Sequence, residues 1–95
     1  MKQSEKFCRL IETFVNEDKN NSIEYFYGVN SKLKVNNIGY SDYKQMFYID
    51  AKIILGEDVE YMEGFDLPIE SLITEASHYL LSTNKILLTV SYDIN

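Results

Sequence analysis

Apolar residues near the amino terminus recur at helical spacing. When residues 5–17 are drawn at 100° per residue, the apolar positions fall within one arc of about 160°. These apolar positions are Phe7, Cys8, Leu10, Ile11, Phe14 and Val15, and the polar positions opposite them are Glu5, Arg9, Glu12 and Asn16. The pattern predicts an amphipathic helix that packs on a core and has Ser4 as its N-cap.

Two further segments have features of strands. Residues 22–29 alternate through Ile23, Tyr25, Tyr27 and Val29, which predicts a strand, with a short helix as the alternative interpretation. The strand would form a hairpin with residues 32–38 across a tight turn at residues 30–31. Both faces of that hairpin are mixed in polarity, so its register is weakly specified by the sequence.

The clearest alternation lies in residues 43–55. Five apolar residues follow one another at period two, namely Phe47, Ile49, Ala51, Ile53 and Leu55, and Gly56 ends the run. A competing helix would place Asp50 on its own apolar side, so a strand is favoured. We expect residues 57–66 to form an irregular loop or a short edge strand.

The carboxyl-terminal third predicts a helix and a final strand. The helix opens at residues 66–68 with Pro68 in its first turn, where a missing amide hydrogen costs nothing. Its apolar positions are Ile69, Leu72, Ile73, Ala76, Tyr79 and Leu80. Residues 85–92 alternate again and predict a strand. The resulting order is α-β-β-β-α-β, an α+β fold with two helices on one face of a mixed or antiparallel four-stranded sheet.

Length and composition limit the class of protein. A chain of 95 residues is expected to form one compact domain, residues 1–95. Its single cysteine cannot form an internal disulfide, and no signal peptide or membrane span is evident, so we expect a cytoplasmic protein. A sequence pI near 4.6 argues against direct binding of nucleic acid or of an anionic membrane.

The negative charge is concentrated in one stretch. Residues 53–84 contain seven acids and no Lys or Arg, whereas residues 1–52 carry +1 and residues 85–95 carry 0, which sums to the net charge of −6. The seven acids are Glu57, Asp58, Glu60, Glu63, Asp66, Glu70 and Glu75. A solvated loop is the simplest interpretation. However, unbalanced like charges repel one another, and apolar residues are interleaved with them.

This stretch predicts a surface that binds a basic protein. Its expected contact residues are Glu57, Asp58, Glu60, Tyr61, Glu63, Phe65 and Asp66, with Tyr61 and Phe65 as anchors. Complementary charge speeds encounter, and aromatic residues are typical of interface centres. Such a surface suits an inhibitor that covers the active or nucleic-acid-binding site of a basic toxin or nuclease, in the manner of an immunity protein, an antitoxin or a phage inhibitor that mimics nucleic-acid charge.

Signatures of catalysis are scarce. We expect Cys8 to be a buried apolar residue and His78 to be solvated near a helix end, and we expect no metal and no cofactor. Asp50 and Lys52 would project from the same face of a strand, beside Tyr48. This Asp50-Ala51-Lys52 pattern, together with the predicted element order, resembles the PD-(D/E)XK nuclease family.

That resemblance implies an alternative function. In the family, the acid helps to hold a divalent metal and the lysine stabilises the attacking water or the developing charge. A minimal metal-dependent nuclease is therefore one alternative to the inhibitor. A non-enzymatic accessory or oligomeric protein, in which Tyr25, Tyr27 and Tyr48 face another copy, is the other.

Overall fold

The secondary structure begins with two helices rather than one. The computed structural model describes residues 3–17, 22–57, 59–60, 63–64, 66–83 and 85–94. In chain order, its elements are α1 (Gln3–Asn16), α2 (Ser22–Tyr27), β1 (Lys32–Ser41), β2 (Met46–Leu55), α3 (Asp66–Leu81) and β3 (Ile86–Ile94). The order is therefore α-α-β-β-α-β, and the predicted α+β class is confirmed. None of the described helices has the length and apolarity to cross a membrane.

The strands of the described residues form one mixed sheet in the order β1-β2-β3. β1 pairs antiparallel with β2, with a register shift between Val35 and Asn37. β2 pairs parallel with β3, and the chain between these two strands contains α3. The central strand β2 alternates as predicted: Ile49, Ala51, Ile53 and Leu55 are buried, and Phe47 packs against the same core. The helices cover this face of the sheet.

The hydrophobic core contains residues from the helices and from the sheet. Its buried residues are Cys8, Ile11, Val15, Ile23, Tyr27, Leu33, Val35, Ile38, Ile49, Ala51, Ile53, Leu55, Ile69, Ile73 and Ala76. The prediction that Cys8 is buried is confirmed, and so is the apolar stripe of the last helix except for Tyr79, which is exposed and lies 5.7 Å from the ring of Phe14. Ser77 is buried on this helix, where its hydroxyl donates to the carbonyl of Ile73 at 2.8 Å.

The predicted strand at residues 22–29 is wrong, and the alternative of a short helix is confirmed. Ile23 and Tyr27 are both buried, a spacing of four that suits a helix with one apolar side. Gly28 ends the helix with φ +103, and its amide donates to the carbonyl of Glu24 at 2.9 Å. The sheet consequently has three strands instead of four.

The hairpin is also placed differently from the prediction. β1 pairs with β2 across residues 42–45, where Gln45 has φ 53, so β2 begins at Met46 rather than at residue 43. Residues 22–29 have no room at the other edge of β1, because side chains of α1 already bond to the backbone there. The predicted N-cap Ser4 lies inside α1, which begins at Gln3.

Candidate functional site

The acidic segment, residues 57–66, follows β2. The residue before it, Gly56, is anchored to the end of α2. The amide of Gly56 donates to the Ser31 hydroxyl at 3.0 Å, and that hydroxyl donates to the carbonyl of Tyr27 at 2.9 Å. A Cβ at Gly56 would collide with the carbonyl oxygen of Val29, so only glycine permits this approach. Ser31 is 2% exposed, and its two bonds are therefore shielded from water.

The segment then contacts α2 a second time through Val59. This side chain is half-buried and packs against the core. A Cβ at Gly28 would lie 2.5 Å from Cγ2 of Val59, so the absence of a side chain at residue 28 makes the contact possible. The position of the described part of the segment is thus fixed by the packing of Val59 as well as by its covalent connection to β2.

The start of α3 is held by the same short helix. The amide of Ile69 lies in the first turn of α3, where it has no acceptor within the helix, and it donates to the Tyr27 hydroxyl at 2.9 Å. The side chain of Tyr27 is 1% exposed. Since α2 bonds to Gly56 through Ser31 and to Ile69 through Tyr27, both ends of the acidic segment are fixed to one element.

The described carboxylates of the segment face solvent. Glu57, Glu60 and Glu63 are exposed, as predicted. Within the described parts of the chain, the ion pairs are Arg9 with Glu12 at 3.0 Å and Lys52 with Asp93 at 3.5 Å, so none of these three glutamates is paired. Lys32 of β1 borders a depression together with Asn30, Ile54 and Glu57.

Four predicted contact residues are not tested by the structure. Asp58, Tyr61 and Phe65 lie outside the described residues, and Asp66 begins α3 but its side chain is also outside them. The predicted anchors Tyr61 and Phe65 therefore stay predictions.

Exposed apolar residues lie on α2, to which the segment is fixed, and on the residues that follow it. Tyr25 is 77% exposed, Phe26 46% and Val29 71%. The rings of Tyr25 and Phe26 meet edge to face with centroids 5.1 Å apart. The sequence-based interpretation missed this group because it treated residues 22–29 as a strand. The spacing of four between Ile23 and Tyr27 fits a helix and a strand equally, so the local sequence gave no decisive signal for this group.

Asp50 and Lys52 lie on the face of the sheet opposite the helices, as their spacing predicts. Lys52 pairs with Asp93 of β3, while Asp50 lies in register between Asn37 and Thr89. Among the residues that the structure describes, no group of three or more His, Cys, Asp or Glu side chains is placed to hold a metal ion. The α-α-β-β-α-β order also departs from the element order on which the nuclease resemblance partly depends.

His78 and Cys8 are placed as the sequence predicts. His78 is exposed on α3, with its ring 5.6 Å from that of Tyr79. Cys8 is buried, and this burial raises the pKa of its thiol above the ordinary value of 9.0, a shift that the neighbouring Arg9 partly offsets. A thiol in this state is a poor nucleophile at neutral pH.

Comparison with known proteins gives no relative from which a role can be transferred: no family model, no curated protein and no solved structure matches the chain. The case for a function therefore depends on the surface formed by α2, residues 28–31 and the acidic segment.

Proposed function

We propose that this protein is a cytoplasmic inhibitor that binds a basic protein and covers its active or nucleic-acid-binding surface, in the manner of an immunity protein, an antitoxin or a phage inhibitor. The supporting observation is that Glu57, Glu60 and Glu63 are exposed, and form no ion pair with any described residue, on a segment tied to α2 at both ends. Preorganised charge of one sign raises the association rate with an oppositely charged surface.

The exposed apolar group on and after α2 supplies the second requirement of a tight interface. Charge complementarity mainly affects the encounter, whereas large apolar side chains at the centre of a contact slow dissociation. Tyr25, Phe26 and Val29, on or just after the helix to which the segment is fixed, are exposed described residues suited to this role. The predicted anchors Tyr61 and Phe65 would add to it.

The proposal is tested by capturing partners on the immobilised protein at low and at physiological salt, then purifying the captured protein and measuring its binding kinetics. We expect a basic partner whose association rate falls steeply as salt rises. The double reversal Glu57→Lys with Glu60→Lys should lower that rate by tenfold or more, and the partner's enzymatic activity should return.

A matched control is available at the other end of the hairpin. Glu5→Lys with Asp42→Lys changes the net charge by the same amount at two exposed positions. Because β1 extends over ten residues, Asp42 lies about 30 Å along the strand from the start of the acidic segment. If the control slows association as much as the Glu57 and Glu60 reversal does, or if neither pair has an effect, the proposed surface is wrong.

A further inference from the structure

An apolar pocket lies between the two long helices and the turn end of the β1–β2 hairpin. It has a volume of about 470 Å³, and its apolar lining residues are Phe7, Ile38, Tyr40, Phe47, Leu80 and Leu81. Ser4 of α1 and Ser82, which follows α3, add two hydroxyl groups to the lining. Apolar walls with a few polar groups are typical of sites that accept a ligand or a side chain. We refer to this site as the hairpin-end pocket.

The turn that joins β1 and β2 displays an aromatic side chain next to this pocket. Tyr43 is 94% exposed, so its ring does not fill the pocket of its own copy. The amide of Lys44 donates to the Ser41 hydroxyl at 3.3 Å, a bond that helps to hold the turn in one conformation. Because Tyr43 follows Tyr40 by three residues and precedes Phe47 by four, its Cα lies within about 13 Å of the pocket lining.

The aromatic surface at this end of the molecule extends beyond one residue. Tyr40 is 51% exposed, and its ring meets that of Phe47 edge to face with centroids 5.2 Å apart. Packed tyrosine rings bury roughly 150–250 Å² each, and their hydroxyls find polar partners. The pocket offers both requirements to an incoming tyrosine, because it combines apolar walls with the hydroxyls of Ser4 and Ser82.

We propose that two copies of this protein associate about a twofold axis, with the Tyr43 ring of each copy inserted into the hairpin-end pocket of the other. A twofold contact is self-complementary, so a surface that carries both a protruding ring and a matching pocket satisfies both at once. The ring and the pocket lie at the same end of the hairpin, which allows the two insertions to occur around one axis.

The charge at this end favours a second copy over a strongly basic partner. The first turn of α1, the turn at residues 42–45 and the residue before β3 carry two exposed acids and three exposed lysines, a net charge of +1: Glu5, Lys6, Asp42, Lys44 and Lys85. Two such ends repel each other weakly, and they offer no attraction to a basic protein. The acidic segment follows the other end of β2, since Phe47 and Leu55 are separated by about 26 Å of strand.

The size of the contact sets its expected strength. Two inserted rings and the walls that they cover would bury about 800 Å² in total, which is less than the roughly 1,200 Å² of a standard stable interface. We therefore expect a reversible dimer with a dissociation constant on the order of 0.1–1 mM. Such a dimer leaves both acidic segments accessible, so it goes beyond the proposed inhibitor function and does not depend on it.

Sedimentation equilibrium of the full chain up to millimolar concentration tests the proposal. Tyr43→Ser removes the ring from an exposed turn and should weaken the dimer tenfold or more. Tyr25→Ser is the matched control, because Tyr25 is also highly exposed but lies on α2, and it should leave the dimer unchanged. A wild-type protein that stays monomeric overturns the proposal, and the occupant of the pocket is then residues 1–2 or a small apolar molecule. Equal effects of the two substitutions also overturn it.

A second pair of variants tests the pocket. Ser4→Trp places a large ring at the pocket and should weaken the dimer tenfold or more, whereas Thr13→Trp on the exposed side of α1 should not. A dimer that tolerates Ser4→Trp as well as it tolerates Thr13→Trp contradicts the proposed contact.

Mixing the two defective variants distinguishes a lost contact from a folding defect. The Ser4→Trp copy keeps its Tyr43 ring, and the Tyr43→Ser copy keeps its pocket, so a mixed dimer regains one of the two insertions. We expect the mixture to associate more strongly than either variant alone at the same total concentration. A mixture that associates no better than its components would show that Tyr43 and the hairpin-end pocket do not meet across copies.

Discussion

β1 and β3 are both outer strands of the three-stranded sheet that the described residues form, yet their outer edges differ in the contacts that the structure shows. In β1 the amides and carbonyls of Leu33 and Val35 are bonded by Asn16, Glu12 and Arg9, whereas for residues 86–91 of β3 no described side chain forms such a bond to the backbone. The difference shows that the polar side of α1 is structural: it completes the hydrogen bonding of a strand as a neighbouring strand would.

The largest expected effect comes from removing the closure of β1 at Asn16. Asn16→Ala leaves the partly buried amide and carbonyl of Leu33 without partners, and each unsatisfied group costs stability. We expect the free energy of unfolding in urea to fall by about 2–4 kcal/mol. Asn36→Ala, at an exposed position of β1, is the matched control and should change it by less than about 0.5 kcal/mol. Equal effects would mean that Asn16 does not close the edge.

The next effect separates the hydrogen bond of Glu12 from its charge. Glu12→Ala removes the acceptor for the Val35 amide and should cost about 1–3 kcal/mol. Glu12→Gln keeps an acceptor oxygen but loses the ion pair with the half-exposed Arg9, so its cost should stay below about 1 kcal/mol. Urea unfolding of both variants measures the difference. If Gln is as costly as Ala, charge rather than edge closure explains the role of Glu12.

The periodic elements could be predicted from the sequence alone. α1, β2 and α3 each bury one side of a long repeating pattern, and a pattern of that length distinguishes the 3.6 period from the period of two. Residues 22–29 are too short for this, since Ile23 and Tyr27 are compatible with both periods. Their conformation depends on Asn16, Glu12 and Arg9, which occupy the edge of β1 that the predicted hairpin needed, and that competition involves residues distant in the sequence.

The candidate site was predictable to a similar extent. The concentration of acids in one segment predicts exposed carboxylates, because charged groups without partners stay in water. The neighbouring Tyr25, Phe26 and Val29 could not be assigned to the same region, since their position depends on the contacts of Gly28 with Val59 and of Ser31 with Gly56. These contacts join residues 31 and 25 positions apart, and no local pattern marks them.

A third prediction compares the two edges directly by hydrogen exchange. The amides of Leu33 and Val35 are bonded to side chains of α1, so they should exchange slowly at all protein concentrations. In dilute protein, the amides of β3 that do not bond to β2 should exchange at least about tenfold faster. Protection of β3 that is already complete in dilute protein would show that its edge is covered within a single copy.

The smallest expected effect uses Cys8, which is buried on α1 where the helix packs on the core. Because burial raises the pKa of the Cys8 thiol above 9.0, the unfolded chain releases this proton at a lower pH than the folded protein does. The contribution of Cys8 to stability is therefore complete below pH 9.0 and is lost as pH rises through the folded-state pKa. Urea unfolding of wild type and Cys8→Ala between pH 7 and pH 10.5 measures it: the wild type should lose more stability than the variant above pH 9.0. Parallel curves would mean that the thiol is not shielded by the helix that closes β1.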